Sequence, residues 1–393
     1  MSTTTSPSLS SIRPMAPRDP HEPHRASTPL ELLFDLVTVI AIASAAAGLH
    51  HALGANHAIE GVFKFVGAFF AIWWAWMNYT WLASAYDNDD TVFRLLTMIV
   101  MAGSLTVAAG IDAFFAASTL TMVIIGYVVM RLSVVALWLR AARHDPARRK
   151  TAHSYVGGIT LVQLYWIALL PLQPLSPPSL VAAVMLGVVL ELVVPAVAER
   201  KGATPWHRHH IMERYGLLTI IVLGETLLAA AAALTHAAGA HFDIRFVHIA
   251  LSALVITLSM WWLYFSRDEH LGVTDLSRAL QWGYGHAPLF AAGAGVGAGF
   301  SVLVDIVGGH ASISLLAGDY AVAVPAAIYL MALWFVRDRF VLPGARHWVL
   351  PVFAALVLAV PLLLGLEGVA AVMVLSVMAR SALSSPKAPL TTA

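Results

Sequence analysis

The chain contains no cysteine in 393 residues. Disulfides, thiolate metal sites and cysteine nucleophiles are therefore excluded. Charge is scarce as well: 11% of the residues are Asp, Glu, Lys or Arg, against about 25% in a soluble domain. A soluble chain this poor in charge would leave its surface uncovered, whereas a lipid-facing chain needs no such cover. Neither sign dominates, because the formal net charge is +1, so no basic field points to nucleic acid. The sequence also lacks a Walker-type phosphate loop, a His-Glu-x-x-His zinc pair, a Gly-x-Ser-x-Gly nucleophile turn and a haem-attachment motif. No catalytic residue, metal ligand or cofactor is assigned from sequence. These absences weigh against an enzyme, though a membrane-embedded one acting on lipid stays open beside a transporter or channel and a structural or lipid-binding membrane protein.

What the chain has in abundance is apolar surface, at 59% hydrophobic residues. A membrane-spanning helix needs about 20 mostly apolar residues. Such runs fall at 30–53, 61–86, 92–115, 117–140, 154–174, 178–198, 211–235, 243–266, 279–305, 316–337, 346–364 and 366–381. Only Gly365-Leu366-Glu367-Gly368 divides the last two, and glycine with positive φ suits a short turn there. Lys and Arg alternate along this series. Arg13, Arg18 and Arg25 precede the first run, and Arg94 lies by the second connection. The fourth carries Arg140, Arg143, Arg148, Arg149 and Lys150, and the sixth Arg200, Lys201, Arg208 and Arg214. The eighth has Arg267 and Arg278, the tenth Arg337, Arg339 and Arg346, and the C-terminal tail Arg380 and Lys387. The other connections are nearly bare. That is the positive-inside pattern for twelve spans with both termini in the cytoplasm. Residues 1–29, rich in Ser, Thr, Pro and His, and 382–393 read as disordered cytoplasmic tails.

The expected fold is an all-α membrane bundle of two parallel six-helix repeats. The halves are 30–198 and 211–381, joined by a linker over 199–210. Glu31 opens the first span as Glu213 opens the seventh. Each following span carries a tryptophan pair and then an acidic turn: Trp73-Trp74 leads to Asp87–Asp90, and Trp261-Trp262 to Asp268-Glu269. The third span of each half ends near Asp112 or Asp305. An offset of six spans preserves topology, so the relation is a pseudo-two-fold along the membrane normal.

An ionisable side chain near the bilayer centre costs roughly 2.5–3.5 kcal/mol on insertion scales. The candidates that survive this cost are Glu31, Asp35, Arg94, Arg131, Glu191, Glu213, Arg214, Glu225 and His286. Glu31 and Asp35 share one helix face and repel unless a cation or proton sits between them. Arg94 and Arg131 are the expected intramembrane counter-charges. Glu225 follows Glu213 by about 18 Å of helix and is the best midplane acid. Against these functional readings stand structural ones: interfacial anchoring for Glu31, Glu213 and Arg214, and ion pairs that fix helix register for the arginines. His207, His209 and His210 fit a solvated loop better than a metal site, which would need further ligands. His286, two residues before Pro288, fits a satisfied core histidine better than a titrating one. The glycines at 293, 295, 297 and 299 favour close helix contact. Aromatic clusters around Trp73–Trp81 and Trp261–Tyr264 suit interfaces or helix contacts.

These residues carry a family resemblance. Thr28–Ala43 resembles the opening signature of the bacterial low temperature requirement protein A family. So do Tyr86–Asp90 with Arg94, Glu191–Pro195, and His210–Glu225 with its Glu-Arg-x-Gly-Leu to Gly-Glu core. Tyr284–Leu289 is similar to the family's ninth-span motif, and the likeness covers about residues 25–380. Gly299-Phe300-Ser301 departs from it, where an acid is expected. Phe34-Asp35 is also similar to the first-helix signature of the lysosomal potassium-channel family. The main resemblance implies a multi-pass protein of the bacterial cytoplasmic membrane. Its name describes a growth phenotype and supplies no substrate. The expected partners are the lipid bilayer and a small ion or solute.

Overall fold

The computed structural model describes residues 12–20, 22, 25–237, 243–266 and 276–383, which form an all-α fold without strands. Twelve main helices follow one another: α1 Pro29–Gly54, α2 Ala58–Tyr86, α3 Thr91–Ala117, α4 Thr121–His144, α5 Arg149–Ala168, α6 Pro177–Ala198, α7 Arg208–Ala237, α8 Ile244–Phe265, α9 Leu276–Val307, α10 Leu315–Leu333, α11 Val349–Ala359 and α12 Pro361–Ala382. Among the described residues, 11 helices are long and apolar enough to cross a membrane, and Gly344–Ala359 is a shorter apolar helix. The polarity is inverted relative to a soluble protein. Leu36, Leu161 and Leu363 are exposed while Glu31, Arg131 and Arg337 are fully buried. Apolar side chains facing outward are favourable only against lipid, and helices suit that setting because they satisfy their own backbone groups.

The chain divides into two compact units: Met1–Gly48 with Glu60–Leu218, and Leu49–Ile59 with Thr219–Ala393. The divide falls inside α1 and α7, since the first turns of α7 pack with the first unit. Within that unit the helices alternate in direction. Arg140 near the end of α4 meets Asp90 at the start of α3, and Tyr155 near the start of α5 meets Glu199 just past α6. Within the second unit, the ends of α8, α10 and α12 likewise meet through Arg337, Asp338 and Arg380.

Local chemistry explains the key helix boundaries. Thr28 and Glu31 form a reciprocal capping box at the start of α1. Thr28 Oγ1 accepts the Glu31 amide at 3.3 Å, and Glu31 Oε2 accepts the Thr28 amide at 2.9 Å. Pro29 sits at the first helical position, where its missing N–H costs nothing. Asp90 caps α3 by accepting the Phe93 amide at 2.8 Å. The turn expected around Gly365 is present, with φ of 57° inside α12. α11 alone rises only about 16 Å, and the apolar turn of 361–364 extends it up to that break. Glycines set the closest helix contacts. A β-carbon on Gly126 of α4 would lie 2.5 Å from the Gly103 carbonyl oxygen of α3, and one on Gly299 of α9 would collide with the Ala321 carbonyl of α10. The latter bears out the reading of the glycine run.

The expected disordered tail 1–29 is anchored where it is described. Arg18 donates its amide to the Ala85 carbonyl at 2.9 Å, and Arg25 donates to the carbonyls of Ser84 and Ala83. These are last-turn carbonyls of α2, which otherwise lack partners. Residues 1–11 and 384–393, the acidic turn at 268–269, Arg267 and Lys387 lie outside the described residues.

Candidate functional site

The start of α1 places Glu31 and Asp35 one helical turn apart on a single buried face. The start of α7 answers with His210 and Arg214, also one turn apart and fully buried. Arg214 lies 3.0 Å from Glu31 Oε1 and also pairs with Asp35 Oδ1. His210 Nε2 lies 3.1 Å from Glu31 Oε1. Trp76 of α2 donates its indole N–H to Asp35 Oδ1 at 2.7 Å. Asp35 Oδ2, Arg214 Nε and His210 Nδ1 are buried without a hydrogen-bond partner among the described residues. The network therefore holds two carboxylates against one permanent cation. Glu31 gains further support from the positive end of α1 and its capping amide. Asp35, a turn deeper, has no such second source.

This geometry corrects the expected pairing. Arg94 is not an intramembrane counter-charge: it is exposed at the start of α3 and pairs with Asp89 at 2.6 Å. A carboxylate five residues away, on the adjoining turn, competes for it more cheaply than a distant buried one. Arg131 is buried but serves Glu191 rather than α1. Glu213 is exposed and accepts the Ser27 amide at 3.2 Å, so it lines no interior route. The histidine cluster is not a solvated loop either, since His207 and His210 are buried. His207 Nδ1 accepts the His210 amide at 3.2 Å at the start of α7, and its Nε2 donates to the Glu22 carbonyl at 2.9 Å. The signal that sequence reasoning missed was the tryptophan cluster beside the acids. A buried indole N–H needs an acceptor, and Trp74 and Trp76 each find a carboxylate.

Glu191 of α6 is the best-satisfied acid of the first unit. It accepts from Tyr127 O–H at 2.7 Å, Trp74 N–H at 2.9 Å, Arg131 at 2.9 Å and Gln163 at 3.1 Å. One carboxylate faces one cation, and four donors fill both oxygens. The cavity beside it, about 40 Å³ and lined by Phe70, Val123, Trp166 and Val184, is apolar. A small apolar void stays dry. Arg131 Nε and Nη1 and Gln163 Oε1 remain unpartnered in this otherwise saturated cluster.

In the second unit His286 is a satisfied core histidine. Its Nδ1 donates to the Trp282 carbonyl at 2.7 Å, and Nε2 accepts the Tyr264 hydroxyl at 3.2 Å. Glu225 is half-buried and has no ion pair among the described residues. The strongest charge network here involves residues that sequence reading had counted as connection or tail charges. A π-helical segment, Trp334–Asp338, ends α10 and carries Arg337 and Asp338 into the interior. Asp338 accepts Arg337 Nε at 2.7 Å and Arg380 Nε at 2.7 Å. Arg337 also donates to the Leu263 and Tyr264 carbonyls, at 2.6 and 3.1 Å, capping the end of α8.

Charges outside the spans surround the start of α1. Burial, reinforced by the negative charge of Glu31, pushes the Asp87 carboxyl up to about 6. Burial pushes the Arg25 guanidinium down to about 10. Burial also acts on Asp90, but the Arg140 guanidinium and the amides of Phe93 and Arg13 outweigh it and hold that carboxyl below its usual range.

An apolar exterior, membrane-length helices and ion pairs confined to the interior define a multi-pass membrane protein. The chain belongs to the family of the bacterial low temperature requirement A protein (LtrA), whose sequence profile matches residues 26–382. It is also similar to an uncharacterized protein of Rhizobium meliloti (strain 1021), with 28% identity over 283 residues, 67% of this chain. The match spans 66% of that relative's length. No solved structure matches the chain.

Proposed function

We propose that this protein is a transporter or channel for a small ion or solute, with the α1/α7 network as its charge-carrying element. One observation carries the reading: buried Glu31 and Asp35 share a single arginine, and Asp35 Oδ2 has no partner. A proton or cation supplies the missing positive charge, and its arrival and departure change which side chain Arg214 must serve. Asp87, on the connection before α3, supplies a second acid near Glu31 that titrates close to neutral pH. The positive-inside distribution supports cytoplasmic termini and a bacterial cytoplasmic membrane location. The acid-led starts of α1 and α7 support two parallel repeats of six helices.

Flux in proteoliposomes tests the reading, screened over H⁺, Na⁺, K⁺ and small organic solutes at several pH values. Asp35→Asn and Glu31→Gln are expected to abolish the flux of whichever solute the wild type carries. Glu213→Gln, at an exposed site, is expected to leave it unchanged. Wild-type rates in both interior variants, or no flux of any screened solute, would remove the acids from transport. A structural or lipid-interacting membrane protein of envelope adaptation is the second reading. The saturated Glu191–Arg131 pair favours it for that part of the bundle, because a carboxylate with every lone pair engaged holds helices in register.

A further inference from the structure

We propose that the break in α12 forms a binding site for a monovalent cation, with Asp319 and Glu367 as its carboxylate ligands and His248 as a positioning residue. The site belongs to the second unit and lies where α8, α10 and α12 begin, at the opposite end of these parallel helices from the Asp338 network. Gly365 takes a φ of 57° and a ψ of −147°, which interrupts the helix. A point one bond from its α-carbon, where other residues carry a β-carbon, lies 3.4 Å from Asp319 Oδ2 and 3.7 Å from Glu367 Oε2. Apart from the glycine, its chain neighbours and the backbone of α12, no other described atom lies within 4 Å of that point. Two carboxylate oxygens thus converge on a gap that only glycine leaves open.

Asp319 is the observation that calls for a ligand. It is 5% exposed, yet no hydrogen bond or ion pair engages it among the described residues. A buried carboxylate without a partner is costly, and the nearby cation is already committed. His248 Nδ1 sits 3.1 Å from Glu367 Oε1, which fixes that carboxylate and leaves Oε2 turned toward Gly365. Orienting a ligand through its second oxygen is the usual work of an outer-shell histidine. Among the described residues no group of three or more His, Asp or Glu is arranged to hold a metal ion. That argues against a divalent ion, which demands more protein oxygens. A monovalent ion accepts two carboxylates completed by water and by carbonyls freed at a helix break, as in membrane helices interrupted at their ion sites.

The inference stands apart from the flux reading, because binding is measured without transport and involves residues of the other unit. Radiolabelled Na⁺ is titrated onto the full chain in lipid nanodiscs, with choline chloride holding ionic strength constant and K⁺ as a competitor. A single saturable site is expected, weakened at least about tenfold by Asp319→Asn and less by Glu367→Gln, with Glu213→Gln binding as wild type. Displacement by K⁺ assigns selectivity within the same class. Absence of saturable binding by either ion, or unchanged binding in Asp319→Asn, overturns the site. Should that variant fail to fold, the wild type decides: Na⁺ or K⁺ in place of choline is expected to raise its unfolding temperature, and no rise with either ion overturns the proposal.

Discussion

The α1/α7 network of the first unit and the network joining α10 to α12 in the second use the same side chains in inverse proportion. The first sets Glu31 and Asp35 against Arg214, and the second sets Asp338 against Arg337 and Arg380. Excess charge has been handled differently in the two. The surplus arginine of the second unit donates to the Leu263 and Tyr264 carbonyls at the negative end of α8, so helix termini absorb it. In the first unit the end of α1 supports Glu31, but nothing of this kind reaches Asp35. Surplus charge that a helix end neutralises is architecture, whereas surplus charge left over is a place for a mobile cation.

Substitutions that remove one carboxylate from each network probe this contrast. Asp338→Asn leaves two buried arginines without their shared acid and is expected to cost about 3–5 kcal/mol, read as a fall in the thermal unfolding midpoint in detergent. A midpoint like the wild type's would mean that helix carbonyls alone hold both arginines. The balanced pair lies between the extremes. Glu191→Gln strips Arg131 of its counter-charge but keeps one acceptor oxygen, so a smaller loss of about 2–3 kcal/mol is expected. Adding Arg131→Met should recover part of that loss, and a purely additive double variant would argue against a specific pair.

Outside the membrane the effect depends on pH. The Asp87 carboxyl titrates near 6 in the folded chain, above its ordinary value, so the folded state holds the proton more tightly than the unfolded one. The resulting stabilisation is full in acid and is lost as pH rises through about 6. Asp87→Asn is therefore expected to be more stable than wild type at pH 8 by up to about 2 kcal/mol, and indistinguishable from it near pH 4. A difference that persists unchanged in acid would mean that amide packing, not charge, is responsible.

Much of the fold was legible because membrane insertion writes it directly into composition. Runs of apolar residues, basic connections and Gly365 located the helices and the break between the last two. The capping pair Thr28 and Glu31 was also present in the sequence as a spacing. The choice of ion-pair partners was not legible, since it depends on which helices adjoin. Arg94 was taken by Asp89 on the adjoining turn, and Arg131 by Glu191 two helices on, while Arg214, set aside as an interfacial anchor, turned inward to both acids of α1. Arg337 and Arg380 read as cytoplasmic charges because they lie at span ends. The π-helical segment that turns Arg337 and Asp338 inward leaves no mark in an apolar pattern.

The smallest expected effect is the most telling. Asp35→Asn removes the acid held to be surplus, so its unfolding midpoint in the same detergent should match or exceed that of the wild type, within about 1 kcal/mol. A loss as deep as that of Asp338→Asn would show that Asp35 is a required half of an ion pair, and the account of an uncompensated charge in the first unit would fail.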